Sequence, residues 1–132
     1  MKTDRSQHVW LMDDDATFNF IHTHLIESAH PNVKIIPFIS PTNFLESFIH
    51  SAEAQLPNHI LLDINMPEMN GFELLDKLLK IDKFNRKSIR VYIVSSTMNP
   101  SDVKKAKTYE SVEQILAKPI TPQQIEGIFA AE

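Results

Sequence analysis

The 132-residue chain contains no cysteine and only two glycines, Gly71 and Gly127. The lack of cysteine excludes disulfides, thiolate metal sites and a cysteine nucleophile. Two isolated glycines cannot form the glycine-rich phosphate loops of nucleotide-binding proteins. No apolar run approaches the roughly 20 residues needed to span a bilayer, and the N terminus lacks the apolar segment of a signal peptide. We therefore predict a cytoplasmic protein with no membrane partner.

The sequence also lacks an excess of basic residues. Its 13 Lys and Arg residues against 17 Asp and Glu residues give a net charge of −4. Such a chain has no overall positive field that would attract nucleic acid. Its 42% hydrophobic and 23% charged residues are ordinary for a globular protein. The length suits one domain, which we predict to span residues 8–132 after a short polar tail at residues 1–7.

The most informative stretch is residues 59–71. Residues 60–62 are continuously apolar, which indicates a strand buried on both faces. Asp63 follows them, and a carboxylate at such a position is costly unless something there requires a charge. Pro67 and Gly71 mark the loop that comes next. We expect Asp63 to lie at the carboxyl end of a central strand, where ligands bind in open parallel sheets.

Apolar runs and amphipathic stretches alternate along the rest of the chain. Further strands are predicted at residues 9–12, 33–39, 89–94 and 115–117, with the second at a sheet edge because it contains Pro37. Helical patterns begin near residues 16, 41, 71, 100 and 122. In the first helix, the apolar stripe comprises Phe18, Ile21, Leu25 and Ile26. Residues 82–88 are predicted to form a polar loop. The pattern predicts a single doubly wound α/β domain with five strands and five helices.

Charged and hydroxyl side chains follow four of these strands. They are Asp13 and Asp14, with Asp15 a further candidate, then Asp63, Ser95 or Ser96, and Lys118. Two negative charges about 4 Å apart repel by roughly 4 kcal/mol at an effective dielectric of 20, so the carboxylates require a cation. Hard oxygen ligands favour Mg²⁺, or Mn²⁺, over zinc. With a hydroxyl and an ammonium nearby, the site suits attack by Asp63 on a phosphoryl group.

Four segments carry a resemblance to a known family. Residues 12–15, 62–71, 94–96 and 117–120 resemble the receiver domains of two-component response regulators. The resemblance implies a flavodoxin-like sheet with strand order 2-1-3-4-5. It also implies that Asp63 accepts phosphate from a histidine kinase or a histidine phosphotransfer protein. The chain would then act on a downstream protein target, as a single-domain regulator or phosphorelay shuttle without a DNA-binding output. The alternative is that it is a fragment of a longer regulator or hybrid kinase.

The same resemblance implies roles for particular residues. Mg²⁺ would be held by Asp13, Asp14, Asp63 and the backbone carbonyl of Asn65. Ser95 would be the switch hydroxyl, and Lys118 would bind the phosphate from a cis Lys118–Pro119 peptide. In this family Asn65 and Thr97 occupy positions that tune the phosphate lifetime. The protein would be a phosphoacceptor rather than an enzyme, and a monomer or a phosphorylation-dependent dimer.

One position departs from the family pattern. Many receivers have Tyr or Phe three residues before the lysine, where this chain has Ile115. The aromatic half of the usual switch is therefore absent from the sequence. Phe20 lies off the apolar stripe of the first helix, and we predict that it helps to dock the histidine donor. His59 is predicted to be a surface or capping residue, and no histidine has the context of a phosphohistidine.

The alternative is an enzyme. Residues 13–17 fit the Asp-x-Asp-x-Thr pattern of haloacid-dehalogenase-like phosphatases, in which Asp13 would be the nucleophile and Asp15 the general acid. No acidic pair follows Lys118 to complete the metal site of that family. The alternative also leaves Asp63 and its loop unexplained.

Overall fold

In a computed structural model that describes residues 7–130, the strands form one five-stranded parallel sheet. Its strands are β1 (His8–Met12), β2 (Lys34–Phe38), β3 (His59–Asp63), β4 (Arg90–Ser95) and β5 (Val112–Ala117). They are arranged in the order β2-β1-β3-β4-β5, and all four pairings are parallel. The predicted flavodoxin-like fold and strand order are confirmed. The predicted tail at residues 1–7 falls mostly outside the described residues, so that boundary stays a prediction.

Within residues 7–130, six α-helices connect and flank the strands, where five were predicted. They are α1 (Ala16–Ala29), α2 (Pro41–His50), α3 (Gly71–Leu78), α4 (Asp82–Lys87), α5 (Pro100–Ala106) and α6 (Pro122–Ala130). A 3₁₀ turn, Glu53–Gln55, follows α2. None of the helices in residues 7–130 is long and apolar enough to cross a membrane.

The additional helix is α4, and it corrects the prediction of a polar loop at residues 82–88. The segment is helical because its one large apolar side chain, Phe84, is buried in the core. The Lys83 ammonium also donates to the backbone carbonyls of Ile49 and Ser51 at the end of α2, at 2.6 and 2.8 Å. Tertiary contacts of this kind override a polar sequence pattern.

Two apolar layers cover the sheet, one on each face. Trp10, Ile60 and Leu62 face the layer that includes side chains of α2 and α3. Val9 and Leu61 face the opposite layer, which includes side chains of α1 and α6. Every residue of β3 is buried, as expected for the central strand. β2 is an edge strand, as Pro37 predicted.

The inward face of α1 differs from the predicted apolar stripe. Its buried residues are Asn19, His22 and Ile26, whereas Phe18 is only half-buried. The first turns of this helix lie beside the polar carboxyl ends of β1 and β2, where the Asn19 amide donates to the carbonyls of Asp13 and Phe38. Polar side chains that satisfy backbone groups are therefore favoured over apolar ones at these positions.

The prediction that His59 is a surface or capping residue is wrong. Its side chain is buried in β3 and packs edge-to-face against Phe129 of α6, with ring centroids 5.2 Å apart. The position suits an aromatic ring because α6 crosses this end of the central strand. Phe20, by contrast, is 73% exposed.

Gly71 sets the path of the chain from β3 into α3. Its N–H donates to the Ile64 carbonyl at 2.9 Å. A Cβ atom at this position would lie only 2.4 Å from the Asp63 carbonyl oxygen. Asn70 and Glu73 then form a capping box that starts the helix. The close approach allows the loop that follows Asp63 to fold back on the end of the strand.

We predict that Gly71→Ala destabilises the protein by about 1–3 kcal/mol, because the added methyl group forces backbone atoms apart. Gly127→Ala is the matched control, since a Cβ there meets nothing within 4 Å and alanine favours the helix. Urea unfolding followed by circular dichroism should show opposite shifts for the two variants. Equal stability of Gly71→Ala and the wild type would contradict the role of the close approach.

Candidate functional site

The predicted site residues meet at the carboxyl edge of the sheet. Asp13 follows β1, Asp63 ends β3, Ser95 ends β4 and Lys118 follows β5. Asp13 and Asp63 are only 3% and 2% exposed, and Ser95 is completely buried. The strand order places β1, β3, β4 and β5 side by side, so residues distant in sequence become neighbours here.

The Lys118 ammonium joins the two buried carboxylates. Its Nζ atom lies 2.8 Å from Asp13 Oδ2 and 3.3 Å from Asp63 Oδ1. All three side chains are at most 6% exposed. A buried charge is tolerated only with close partners and hydrogen bonds, and these contacts supply both. The peptide bond between Lys118 and Pro119 is cis.

Burial and neighbouring charge change the proton affinity of two of these groups. Burial, assisted by the negative charge of Asp13, raises the pKa of Asp63 to about 6, while Lys118 and a hydrogen bond from the Asn65 backbone act in the opposite direction. Burial alone would lower the pKa of Lys118, but its hydrogen bond to Asp13 and the charge of Asp63 outweigh burial and raise it. Near neutral pH, therefore, the ionised carboxylate of Asp63 faces the protonated amine of Lys118.

Three carboxylates at this edge form a group suited to a divalent cation. Ligand oxygens of Asp13, Asp14 and Asp63 all lie within 4.8 Å of one another. Asp13 Oδ1 accepts a hydrogen bond from the Asp15 N–H at 2.9 Å, which fixes the orientation of that carboxylate. Asp14 is exposed, so the group is open on one side. An all-oxygen donor set with an open side matches the preference of Mg²⁺, which keeps some of its waters.

The hydroxyl of Ser95 is turned to its own loop. Its Oγ atom donates to the Thr97 carbonyl at 2.6 Å and accepts from the Thr97 N–H at 3.2 Å. The Ser95 carbonyl in turn accepts from the Lys118 N–H at 2.9 Å. Ser96 is exposed. The geometry thus distinguishes the two serines, and it links the end of β4 directly to the lysine.

Two buried polar residues of α1 were not predicted as part of this region. The Asn19 amide bridges the carbonyls of Asp13 and Phe38, at 3.1 and 3.0 Å. His22 Nε2 accepts a hydrogen bond from the Ile120 N–H at 3.2 Å. Their spacing with Ile26 follows one helical face. Polar residues on the buried face of a helix that starts at an acidic edge are the signal that would have identified them.

Ile115 lies in β5 where many receivers have an aromatic residue. Its side chain is half-buried and packs against the core layer shared with α2 and α3. A surface cavity of about 400 Å³ adjoins it, between β5 and the end of α5. The cavity is lined in part by Ala106, Lys107 and Val112. Ile115 therefore borders open space along this edge of the sheet.

The residues required by the phosphatase alternative do not assemble into a site. Asp15 is the N-cap of α1, and its carboxylate accepts the Thr17 N–H at 2.9 Å. Asp15 is exposed and does not belong to the group of Asp13, Asp14 and Asp63. A carboxylate committed to helix capping is a poor general acid, so the alternative has no support in the structure.

Comparison with known proteins gives a match over nearly the whole chain. A family model described as the response regulator receiver domain matches residues 9–130. The cyclic di-GMP phosphodiesterase response regulator RpfG of Xanthomonas campestris is 25% identical over 124 residues, which cover 94% of this chain and 31% of that protein. The rice two-component response regulator ORR11 is 37% identical over 71 residues, 54% of this chain and 46% of that protein. The chain thus spans less than half of these relatives.

Solved structures agree with this match. A two-component response regulator from Cytophaga hutchinsonii superposes with a TM-score of 0.83 at 29% identity, and 95% of each chain is covered. A two-component response regulator from Legionella pneumophila has a TM-score of 0.81 at 24% identity, with 95% of this chain and 96% of the other covered. The second likeness concerns the fold alone.

We predict that Asp63→Asn stabilises the metal-free protein at neutral pH by about 1–2 kcal/mol, a value reduced by solvent screening at the open edge. Well below pH 3.8, the ordinary pKa of an aspartate, the carboxyl is protonated in both the folded and the unfolded state, so the difference in stability between the two proteins should be smallest and should not change with pH. Between about pH 3.8 and 6 the carboxyl ionises first in the unfolded state, so the wild type should lose stability relative to Asp63→Asn as the pH rises, since its folded-state pKa is raised to about 6. Above that range the difference should be constant.

Urea unfolding of both proteins in buffer with EDTA, from pH 3.5 to 8, measures this difference. A wild type that gains stability relative to Asp63→Asn as the pH rises would contradict the raised pKa.

Proposed function

Because the chain belongs to the response regulator receiver family, whose members are signalling domains, we propose that Asp63 accepts a phosphoryl group from a phosphohistidine. The donor is a histidine kinase or a histidine phosphotransfer protein in the cytoplasm. The observation that carries the proposal is the contact of one ammonium, Lys118, with two buried carboxylates, Asp13 and Asp63. The protein itself accepts the phosphoryl group, and it signals by binding another protein.

The proposed transfer uses the ionised carboxylate of Asp63. One of its oxygens bonds to phosphorus as the phosphorus–nitrogen bond to the imidazole breaks, and the imidazole nitrogen keeps the electron pair. Because the pKa of Asp63 is about 6, the nucleophile is largely ionised near neutral pH. Lys118 lies within 3.3 Å of that carboxylate, close enough for its charge to stabilise the phosphoryl oxygens.

We propose that Mg²⁺, or Mn²⁺, is held by Asp13, Asp14, Asp63 and the backbone carbonyl of Asn65. The support is the all-oxygen group of three carboxylates within 4.8 Å, open on the side of Asp14. When bound, the ion would offset the negative charge of the carboxylates and of the incoming phosphoryl oxygens. The Lys118 ammonium adds a positive charge of the chain's own, in contact with Asp13 and Asp63.

The proposed signal to other proteins begins when the Ser95 hydroxyl changes its hydrogen-bond acceptor. Its hydroxyl would leave the Thr97 carbonyl, which it now contacts at 2.6 Å, and donate to the phosphoryl group. Residue 97 would then move, together with the start of α5. Ala106 is the one fully buried residue of α5, so few contacts oppose such a movement. The changed surface of α5, β5 and α6 would bind a protein target or a second copy of the chain.

Incubation with acetyl phosphate and Mg²⁺ should add one phosphoryl group to the wild type, detected by intact-mass spectrometry. Asp63→Asn should not be labelled, because the nucleophile is lost. Lys118→Ala should react at least about tenfold more slowly, since a charge that stabilises the phosphoryl oxygens is removed. EDTA should suppress labelling.

Asp15→Asn is the control for this experiment, because asparagine also caps a helix and Asp15 lies outside the proposed acceptor group. It should be labelled like the wild type. Labelling that survives in Asp63→Asn but is lost in Asp13→Asn would overturn the proposal in favour of the phosphatase alternative.

The side chain of Phe20 is proposed to contact the phosphohistidine donor. A cognate histidine kinase is first found by profiling a panel of kinases. We expect Phe20→Ala to lower the rate of phosphotransfer from that kinase by about tenfold, because it removes a large apolar side chain that is 73% exposed. Labelling by acetyl phosphate should be unchanged. Ile49→Ala, which truncates an exposed residue at the end of α2, is the matched control. Equal kinase rates for Phe20→Ala and the wild type would rule out this contact.

A further inference from the structure

Two aromatic side chains of α1 contact the segment that carries the phosphate-binding lysine. Phe18 and His22 are four residues apart, so they lie on the same face of the helix, with ring centroids 6.0 Å apart. The Lys118 ammonium lies 4.4 Å from the centroid of the Phe18 ring. His22 Nε2 accepts the backbone N–H of Ile120, two residues after the lysine.

The contact made by His22 is buried and directional. His22 and Ile120 are each only 2% exposed. Burial lowers the pKa of His22 to about 4, so the imidazole is neutral near neutral pH. A neutral imidazole that accepts at Nε2 carries its proton on Nδ1. Removing this acceptor would take away the hydrogen bond of a buried N–H donor, which is costly in a protein interior.

Residues 118–120 are thus attached to the domain at both ends. The Lys118 N–H donates to the Ser95 carbonyl at 2.9 Å, and the Ile120 N–H donates to His22 at 3.2 Å. Between these points, the Lys118 side chain reaches Asp13 and Asp63. A shift of this segment would change both of those distances together.

We propose that α1 positions Lys118 for phosphoryl transfer, with His22 fixing the backbone after the lysine and Phe18 supporting its ammonium. This inference rests on the proposed function of Asp63 and Lys118. Phe18 contacts the Lys118 ammonium and His22 contacts the Ile120 N–H, so both are positioning residues that act through Lys118. If the Lys118 ammonium is displaced by even a fraction of its contact distance, phosphoryl transfer becomes slower. Its positive charge then no longer meets the negative charge that develops on the phosphoryl oxygens.

The test compares His22→Leu, which removes the acceptor, with His22→Gln, whose amide oxygen reaches a similar position. The rate of Asp63 phosphorylation is measured with phosphoramidate over a range of concentrations and with Mg²⁺, so no protein donor is involved. We expect the maximal rate of His22→Leu to fall about fivefold and that of His22→Gln to recover most of it. His24→Leu, an exposed position on the same helix, should match the wild type.

The same substitutions in a Lys118→Ala background separate positioning from a general loss of stability. If His22 acts through Lys118, His22→Leu should cause no further decrease once the lysine is absent. Urea unfolding of each variant verifies that the assays are made on folded protein. Should His22→Leu fail to fold, Phe18→Leu decides, with an expected decrease of about threefold that also disappears in the Lys118→Ala background.

Three results would overturn this inference. They are a wild-type rate in folded His22→Leu, a failure of His22→Gln to recover activity, and an equal decrease with and without Lys118. Failure of the proposed function itself is a different observation, because the wild type would then show no phosphorylation of Asp63 with either small donor.

Discussion

The contact between the Lys118 ammonium and the carboxylates of Asp13 and Asp63 is the interaction on which the rest of the site depends. Two acidic groups buried side by side repel each other, and the raised pKa of Asp63 reflects that cost together with the cost of burial. Lysine offsets part of it, at 2.8 and 3.3 Å from the two carboxylates. The protein thus keeps a buried but ionisable carboxylate, Asp63, at the open edge of its sheet.

Much of the architecture serves to hold these charges in place. The strand order brings the ends of β1, β3 and β5 to one edge of the sheet. Gly71 lets the chain turn back against Asp63, and Asn19 joins the ends of β1 and β2 below Asp13. The sequence alone predicted the strand ends, because apolar runs that stop at charged residues are a local signal. The resemblance to receiver domains then supplied the strand order, which the structure confirms.

Features that depend on tertiary contacts were not predictable in this way. Residues 82–88 have the composition of a loop, yet burial of Phe84 makes most of them helical. Histidine is a polar residue type, yet both His59 and His22 lie in the interior. His59 packs against Phe129, and His22 accepts a hydrogen bond from the Ile120 N–H. Periodicity assigns polar residues to the surface and cannot show which of them satisfies a buried backbone group. Ile115 was identified from the sequence, whereas the surface cavity that it helps to line was not.

The most direct test of the account is a crystal structure of the protein with Mg²⁺ and beryllofluoride, an analogue of the phosphoryl group. We predict a beryllium–oxygen bond to Asp63, with the Lys118 ammonium in contact with a fluorine atom and the Ser95 hydroxyl turned away from Thr97 towards the analogue. The metal ion should contact Asp13 and Asp14. A structure with the analogue on Asp13, or with Lys118 remote from it, would contradict the account.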